Sequence, residues 1–251
     1  MPRHILITGG SSGLGAALAQ AYAGPGVRLA LSGRDAARLE VAAARCRAKG
    51  AEVATAQLDV CAAPAMAEWM RREDAAEPLD LVIANAGVSL GQGQGGERAE
   101  RVRRTFAVNL MGVVNTVEPA IALMAPRGRG QIAIMSSLAG LRGLPSAAAY
   151  SASKAAVKAY GEALRGELQP VGIAVSVICP GFVRSRMTEA NDFPMPFLME
   201  AEDAAAIIRR GLARNRARIA FPFPLYAAMW LLAALPHALT DRWLARLPKK
   251  P

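Results

Sequence analysis

The regular alternation of short apolar runs with longer alanine-rich segments constrains the fold of this 251-residue chain more than any other feature. Short apolar runs bounded by turn residues are typical of strands buried on both faces, and the segments between them have the length of helices. We predict strands at 4–8, 27–32, 52–57, 80–84, 130–136, 173–178 and 218–221. We predict helices at 13–24, 35–49, 62–73, 97–125, 150–169 and 202–214.

This order predicts an α/β fold, a doubly wound parallel sheet of about seven strands flanked by helices. Because no break in composition precedes residue 221, we predict one domain over residues 1–221. Residues 222–251 are then an apolar and basic C-terminal helical extension of the same domain. A chain of this length buries a sufficient core without disulfides or metals.

The basic charge of the chain does not have the pattern of a nucleic-acid surface. The formal net charge is +10, but residues 209–251 hold nine Lys or Arg against one acid, Asp241. No aromatic residues alternate with this basic stripe, as single-strand binding requires. We therefore predict no nucleic-acid partner.

The three cysteines favour a reducing compartment. Cys46, Cys61 and Cys179 lie far apart, with no C-x-x-C pair and no histidine cluster, so we predict neither a disulfide framework nor a metal site. The run 4–8 is a strand rather than the apolar part of a signal peptide. We expect a cytoplasmic protein.

A glycine-rich turn joins the first strand to the first helix. It reads Thr8-Gly9-Gly10-Ser11-Ser12-Gly13-Leu14-Gly15. Glycines let the backbone approach a pyrophosphate, and the helix that follows offers free N–H groups. A plain tight turn is the alternative.

The end of the second strand bears on the choice of cofactor. Sheets of this kind that bind NAD place an acid there to hold the ribose hydroxyls, whereas this chain has Gly33 followed by Arg34. An arginine can hold a 2′-phosphate, so the sequence predicts a preference for NADP(H) over NAD(H). The alternative is a solvated arginine that opens a helix.

Three side chains are candidates for the chemistry. Tyr150 and Lys154 are four residues apart, so they share one face of a helix. A neighbouring ammonium lowers the pKa of a phenol and makes it a usable acid and base. Ser137 follows the fifth strand at the edge where ligands bind in parallel sheets, and its hydroxyl can hold a substrate oxygen.

In this combination the chain resembles the short-chain dehydrogenase/reductase superfamily, in its single-domain branch of about 250 residues, from residue 4 to roughly 221. The resemblance implies a Rossmann-like fold and a catalytic set of Asn109, Ser137, Tyr150 and Lys154, with Asn109 holding a water that links the lysine to solvent. One departure is Ala84, where the family has the first asparagine of N-N-A-G. The cofactor residues implied are Thr8, Gly9, Ser11, Ser12, Gly13, Leu14, Gly15, Arg34, Asp59, Val60, Asn85, Ala86, Gly87, Tyr150, Lys154, Pro180, Gly181 and Val183.

The resemblance implies an NADP(H)-dependent oxidoreductase that interconverts a carbonyl and a secondary alcohol, with Tyr150 as general acid and base. It also implies a homodimer or homotetramer. The alternative is a non-catalytic cofactor-binding or membrane-peripheral scaffold, but relatives of that kind tend to have lost the tyrosine or the lysine. Methionines and aromatics between 182 and 199 favour a lipophilic small-molecule substrate, against the alternative that they only pack a lid.

Residues 222–251 extend beyond the usual end of such a chain. The apolar run 221–236 is interrupted by prolines, too short to span a bilayer, and flanked by basic residues. An interfacial anchor on anionic lipid fits this pattern. A subunit contact or a lid over the substrate cleft fits slightly better.

Overall fold

A computed structural model describes residues 2–91, 96–189 and 191–244. Seven parallel strands form one sheet in the order β3-β2-β1-β4-β5-β6-β7, which confirms the predicted doubly wound fold. The strands are β1 His4–Thr8, β2 Arg28–Gly33, β3 Glu52–Gln57, β4 Leu81–Ala84, β5 Gly130–Met135, β6 Ile173–Pro180 and β7 Arg218–Phe221.

Helices cover both faces of the sheet. They are α1 Gly13–Tyr22, α2 Ala36–Arg47, α3 Ala63–Ala76, α4 Gly96–Phe106, α5 Gly112–Met124, α6 Ala148–Leu168, α7 Arg186–Glu189, α8 Ala201–Ala213, α9 Phe223–Ala234 and α10 His237–Leu244. A π-helical turn, Ala107–Met111, joins α4 to α5, and short 3₁₀ turns lie at Ala125–Arg127, Leu138–Gly140 and Gln169–Val171.

The two faces of the sheet bury separate apolar cores. Ile5 and Ile7 of β1 point into one core with residues of α1 and α8, and Leu6 points into the other with residues of α3, α5 and α6. Successive residues of a strand face opposite sides, so a strand buried on both faces must be apolar throughout. This requirement is why the inner strands could be placed from apolar runs alone, whereas the edge strand β3, which is partly exposed, has polar residues at Glu52, Thr55 and Gln57.

The predicted helix over 97–125 is interrupted in the structure. The π-helical turn at Ala107–Met111 divides it into α4 and α5. Asn109 lies in this turn with its side chain fully buried and bonded to the backbone of Val88. An extra residue in one helical turn changes where side chains point, so the interruption sets the direction of Asn109.

The run Arg98–Arg127 is the one described helical stretch that is long and apolar enough to cross a bilayer. Val113, Val117 and Met124 of this run lie in the core between α3, α6 and the sheet. The α5 part of the run therefore belongs to the core of this fold, whereas much of α4 is exposed.

The C-terminal extension forms two helices, α9 and α10, with a break at Pro236. Leu225, Tyr226 and Met229 of α9 pack against a small core of Leu138, Val177 and Cys179. In α10, the hydroxyl of Thr240 accepts a hydrogen bond from Arg142 at 2.9 Å. The extension thus packs beside the segment that follows β5.

Candidate active site

The glycine-rich turn between β1 and α1 has the backbone of a close-approach loop. Gly9 and Gly13 adopt positive φ of 68° and 53°, a region that favours glycine. A Cβ on Gly15 would collide with the carbonyl oxygen of Gly9 and lie 2.6 Å from Asn85 Nδ2. Only glycine at this position lets the helix start against the turn.

The first turn of α1 is open to an anion. Ser12 precedes the helix, its side chain makes no capping hydrogen bond, and no acid lies in the first turn. By contrast, the Asp35 side chain caps α2 by accepting a hydrogen bond from the backbone N–H of Arg38. The free N–H groups of α1, together with the glycine cradle, fit the phosphates of a dinucleotide.

Thr8 and Asn85 join this turn to the end of β4. The backbone N–H groups of Asn85 and Ala86 donate to Thr8 Oγ1 at 3.1 and 3.2 Å, and Asn85 Nδ2 donates to the Thr8 carbonyl at 2.9 Å. Ala84, the departure from the family pattern, is buried within β4 and takes no part in these bonds. The remaining motif therefore keeps its structural function.

Tyr150 and Lys154 lie together on α6, as their spacing predicts. Lys154 Nζ lies 5.8 Å from the centroid of the Tyr150 ring and donates to the Met135 carbonyl at 2.8 Å. Ser136 Oγ donates to the Lys154 carbonyl at 2.7 Å. Residues at the carboxyl end of β5 thus hydrogen-bond both the ammonium and the backbone carbonyl of Lys154.

Ser137 also contacts the phenol of Tyr150. Its hydroxyl accepts from the Ala139 N–H at 3.1 Å at the start of a 3₁₀ turn, and it hydrogen-bonds the Tyr150 side chain. The three reacting groups predicted from sequence therefore converge at one strand end.

The pKa shifts of Tyr150 and Lys154 differ from those expected from the sequence, where the lysine was expected to lower the pKa of the phenol. In the structure burial raises the pKa of Tyr150, and only the hydrogen bond from Ser137 opposes this rise. Burial also lowers the pKa of Lys154, to about 8. Both shifts have one cause, because removal from water disfavours the charged form of each group.

Asn109 reaches the site from the π-helical turn. Its Oδ1 accepts from the Val88 N–H at 2.8 Å, and its Nδ2 donates to the Val88 carbonyl at 2.9 Å and to Ser153 Oγ at 3.2 Å. A Cβ on Gly87 would lie 3.3 Å from Asn109 Oδ1 and 3.5 Å from Lys154 Nζ. Asn109 therefore lies on the same side of the site as the lysine.

The predicted adenosine end contains an ion pair that sequence reasoning missed. Asp59 Oδ2 lies 2.7 Å from Arg104 Nη2, and Asp59 Oδ1 accepts from the Cys61 N–H at 3.0 Å. Although desolvation opposes it, hydrogen bonding to Arg104 and Cys61 lowers the pKa of Asp59 to about 2. Arg104 lies within the helix predicted over 97–125, and its spacing carries no signal that it pairs with residue 59.

Val60 and Gly33, near this ion pair, are closely packed. Val60 is buried, and its carbonyl accepts from Asn115 Nδ2 at 2.9 Å. A Cβ on Gly33 would lie 3.0 Å from Ser11 Oγ, so this strand end has little room for a side chain. Arg34 is exposed next to it, and its guanidinium makes no hydrogen bond or ion pair within the described ranges, although its charge acts on the Cys61 thiol.

The turn after β6 lies beside Ser137. The Gly181 N–H donates to the Phe221 carbonyl at 2.7 Å, and a Cβ on Gly181 would lie 2.9 Å from Leu225 of α9. Val183 is buried and forms a bridge with Met199. Pro180, Gly181 and Val183 thus share an edge of the sheet with Ser137, whose hydroxyl lies 3.4 Å from the Pro180 carbonyl.

A shallow cleft extends from Tyr150 between the loop after β4, α4 and the start of α6. Its lining is apolar at Leu90, Val102 and Ala147 to Ala149, and it includes Arg98 and Arg101. After β6, the rings of Phe182 and Phe193 pack edge to face with their centroids 6.2 Å apart. Within the described part of the chain, no three His, Cys, Asp or Glu side chains are grouped to hold a metal ion.

Fold and site together define a dinucleotide-dependent oxidoreductase of the Rossmann type. The family model of short chain dehydrogenases matches residues 3–193, and the chain belongs to this family. An uncharacterised oxidoreductase of Myxococcus xanthus is 42% identical over 248 residues, covering 98% of this chain and 97% of that protein. A 3-dehydrosphinganine reductase of Arabidopsis thaliana is 36% identical over 182 residues, covering 71% of this chain and 54% of that protein.

Two solved structures show the cofactors found with this fold. A short-chain dehydrogenase from Sphingobium yanoikuyae in complex with NADPH has a TM-score of 0.82 at 25% identity, covering 99% of this chain and 97% of that one. A short-chain dehydrogenase from Mycobacterium paratuberculosis bound to NAD has a TM-score of 0.77 at 25% identity, covering 87% and 94%. The protein is an oxidoreductase with a nicotinamide cofactor.

Proposed function

We propose that the protein interconverts a carbonyl and a secondary alcohol with NADP(H), using Tyr150 as general acid and base. The observation that carries this proposal is the convergence of three side chains. The phenol of Tyr150 is hydrogen-bonded to Ser137, and its ring centroid lies 5.8 Å from Lys154 Nζ, at the carboxyl end of β5. Such a set can hold an oxygen, supply a proton to it and replace that proton.

The turn and its neighbours would hold the cofactor. The phosphates would bind to the turn Gly9 to Gly15 and the open end of α1. The adenine would lie against Asp59 and Val60. The nicotinamide would lie against Pro180, Gly181 and Val183. When bound, the nicotinamide ring supplies or accepts the hydride. The chain's own residues position it and manage the proton.

The protonation state of Tyr150 favours the reductive direction. Because burial raises the pKa of its phenol, Tyr150 keeps its proton at neutral pH and can donate it to a substrate oxygen. Ser137 would hold that oxygen as negative charge develops on it. Lys154 and a water held by Asn109 would then replace the proton on Tyr150.

The preference for NADP(H) is supported by the end of β2. Gly33 has no side chain to hold ribose hydroxyls, and a Cβ there would lie 3.0 Å from Ser11 Oγ. Arg34 is exposed beside it with its guanidinium available for a phosphate. Arg38, one turn on, is occupied by an ion pair with Asp35 at 2.7 Å.

A lipophilic substrate is supported by the walls of the site. The apolar lining at Leu90 and Val102 offers contacts to carbon chains or rings. The edge-to-face pair of Phe182 and Phe193 follows the turn at Pro180 and Gly181, which would border the nicotinamide. The Arabidopsis relative is named for the reduction of 3-dehydrosphinganine, which fits the same chemical class.

We also propose a cytoplasmic homodimer or homotetramer. Met111 is a large apolar side chain, 49% exposed at the π-helical turn between α4 and α5. Apolar groups in this position suit burial by a second subunit. Sedimentation velocity of the purified protein measures the oligomer directly, and a monomer at micromolar concentration would contradict it.

The Tyr150→Phe variant tests the reaction. Removal of one hydroxyl leaves the ring and the cofactor cradle in place, so we expect NADPH binding to persist while turnover of a ketone panel falls by at least about 10²-fold, as for loss of a general acid. NADPH oxidation across carbonyls of increasing chain length gives the rates, and NADPH fluorescence gives the binding. Turnover near the wild-type rate would exclude Tyr150 as the proton donor.

A further inference from the structure

The outer surface of the C-terminal helices is unusually apolar for a surface helix. Helix α9 contains no Asp, Glu, Lys or Arg and no fully buried residue. Phe223, Trp230 and Leu231 are 74%, 57% and 55% exposed, and Leu239 of α10 is 72% exposed. By comparison, α8 buries Ile208 and Leu212 and presents charged residues to solvent.

The inner face of α9 is already occupied. Leu225, Tyr226 and Met229 pack on Leu138, Val177 and Cys179, and the Tyr226 hydroxyl accepts from Arg218 at 3.3 Å. Packing against the chain's own core therefore leaves Phe223, Trp230 and Leu231 outside. We define these three residues with Leu235 and Leu239 as the apolar tail surface.

The charge of the same segment points to the partner. Arg242, Arg246, Lys249 and Lys250 follow the apolar run, and the only acid among residues 222–251 is Asp241. Asp241 lies 3.4 Å from Arg142, which partly neutralises it. An apolar surface followed in the sequence by four cations is complementary to an anionic lipid headgroup layer.

A second copy of the chain fits this surface less well. A two-fold contact through the apolar tail surface would bring two identical basic segments together without acids to pair them. A transmembrane insertion does not fit either, since the 12 residues of α9 extend about 18 Å and the hydrocarbon core is about 30 Å thick. Adsorption at the bilayer surface is compatible with both the short length of α9 and the basic charge of the tail.

We propose that the apolar tail surface docks the protein on anionic membranes as a peripheral contact. Helix α9 begins next to Gly181 and packs on Leu138, which follows Ser137. Docking therefore brings the membrane surface near the reacting groups. This inference rests on the tail alone and does not depend on the proposed reaction.

Cosedimentation of the full-length protein with phosphatidylcholine vesicles, with and without phosphatidylglycerol, tests the proposal. We expect binding to the anionic vesicles that weakens as salt rises, and little binding to the neutral ones. Trp230→Ser combined with Leu231→Ser should weaken binding by at least about tenfold, because two buried side chains are lost. Truncation after Leu244 removes three cations but keeps both helices, and should weaken binding several-fold.

Val41→Ser is the matched control, since Val41 is 55% exposed on α2 and its loss should leave vesicle binding unchanged. Brominated lipid should quench the fluorescence of the wild-type protein more than that of Trp230→Phe, a readout that needs no disruptive variant. Equal binding by the double variant, equal quenching of Trp230→Phe, or no binding by the wild type would overturn the proposal. A dimer that the double variant dissociates, without lipid binding, would assign the surface to a second copy instead.

Discussion

Arg34 is the residue on which the proposed cofactor preference depends. We expect Arg34→Ala to raise the KM for NADPH by about tenfold to a hundredfold, because a charge-assisted hydrogen bond to a phosphate contributes ~1.5–3 kcal/mol. The KM for NADH should change little. Arg38→Ala is the control, since its guanidinium is paired with Asp35. Equal losses with both cofactors would remove Arg34 from the phosphate site.

Lys154 is expected to give cofactor binding a pH dependence. Burial lowers its pKa to about 8, so the free protein carries this charge below pH 8 and loses it above. NADPH is an anion and stabilises the charged lysine. We expect the Kd for NADPH to be constant below about pH 8 and to rise by up to about tenfold per pH unit above it, measured by fluorescence titration. A flat profile to pH 9.5 would contradict this assignment.

The same shift affects stability in the opposite direction. The pKa of the unfolded lysine has its ordinary value of 10.5, so between about pH 8 and 10.5 the unfolded chain binds more protons than the folded one. Stability from this residue therefore rises with pH across that window. Above pH 8 the affinity for NADPH should therefore fall while the stability of the free protein rises.

At the scale of elements, the turn before α1 depends on glycine for space. Gly15→Ala should abolish NADPH binding, because its Cβ would lie 2.6 Å from Asn85 Nδ2 and collide with the Gly9 carbonyl oxygen. Gly166→Ala in α6 is the control, since nothing lies within 4 Å of its Cβ position. That change should raise the free energy of unfolding by about 0.5–1 kcal/mol in urea titrations. Normal NADPH binding by Gly15→Ala would contradict the role of the cradle.

The elements differ in how well the sequence predicts them. The seven strands were placed to within about two residues, and the inner ones are clearest because burial on both faces leaves a continuous apolar run, as in Leu81 to Ala84. The π-helical turn at Ala107–Met111 was missed, since its apolar pattern continues that of the flanking helices. The Arg104–Asp59 ion pair was missed because it joins residues 45 apart, whose proximity only the folded sheet creates.

At the scale of the whole molecule, the C-terminal extension is joined to the segment between Ser137 and Tyr150. Arg142 lies in that segment with its side chain 7% exposed, and it donates to Thr240 at 2.9 Å and contacts Asp241 at 3.4 Å. Sequence alone left the extension as an anchor, a subunit contact or a lid. In the structure α9 and α10 pack against this segment and support it. One apolar face of the extension stays exposed to solvent.

Arg142→Met should therefore loosen the extension. The loss of hydrogen bonds from a charged group costs about 1.5–3 kcal/mol, which lowers the Tm of a domain of this size by roughly 3–10 °C. Arg210→Met is the control, because Arg210 is exposed on α8 and its charge is removed without a buried contact. Differential scanning calorimetry gives both Tm values. Limited proteolysis should then cut the Arg142→Met protein after Phe221 sooner than the wild type, and equal cleavage would show that α10 is held by other contacts.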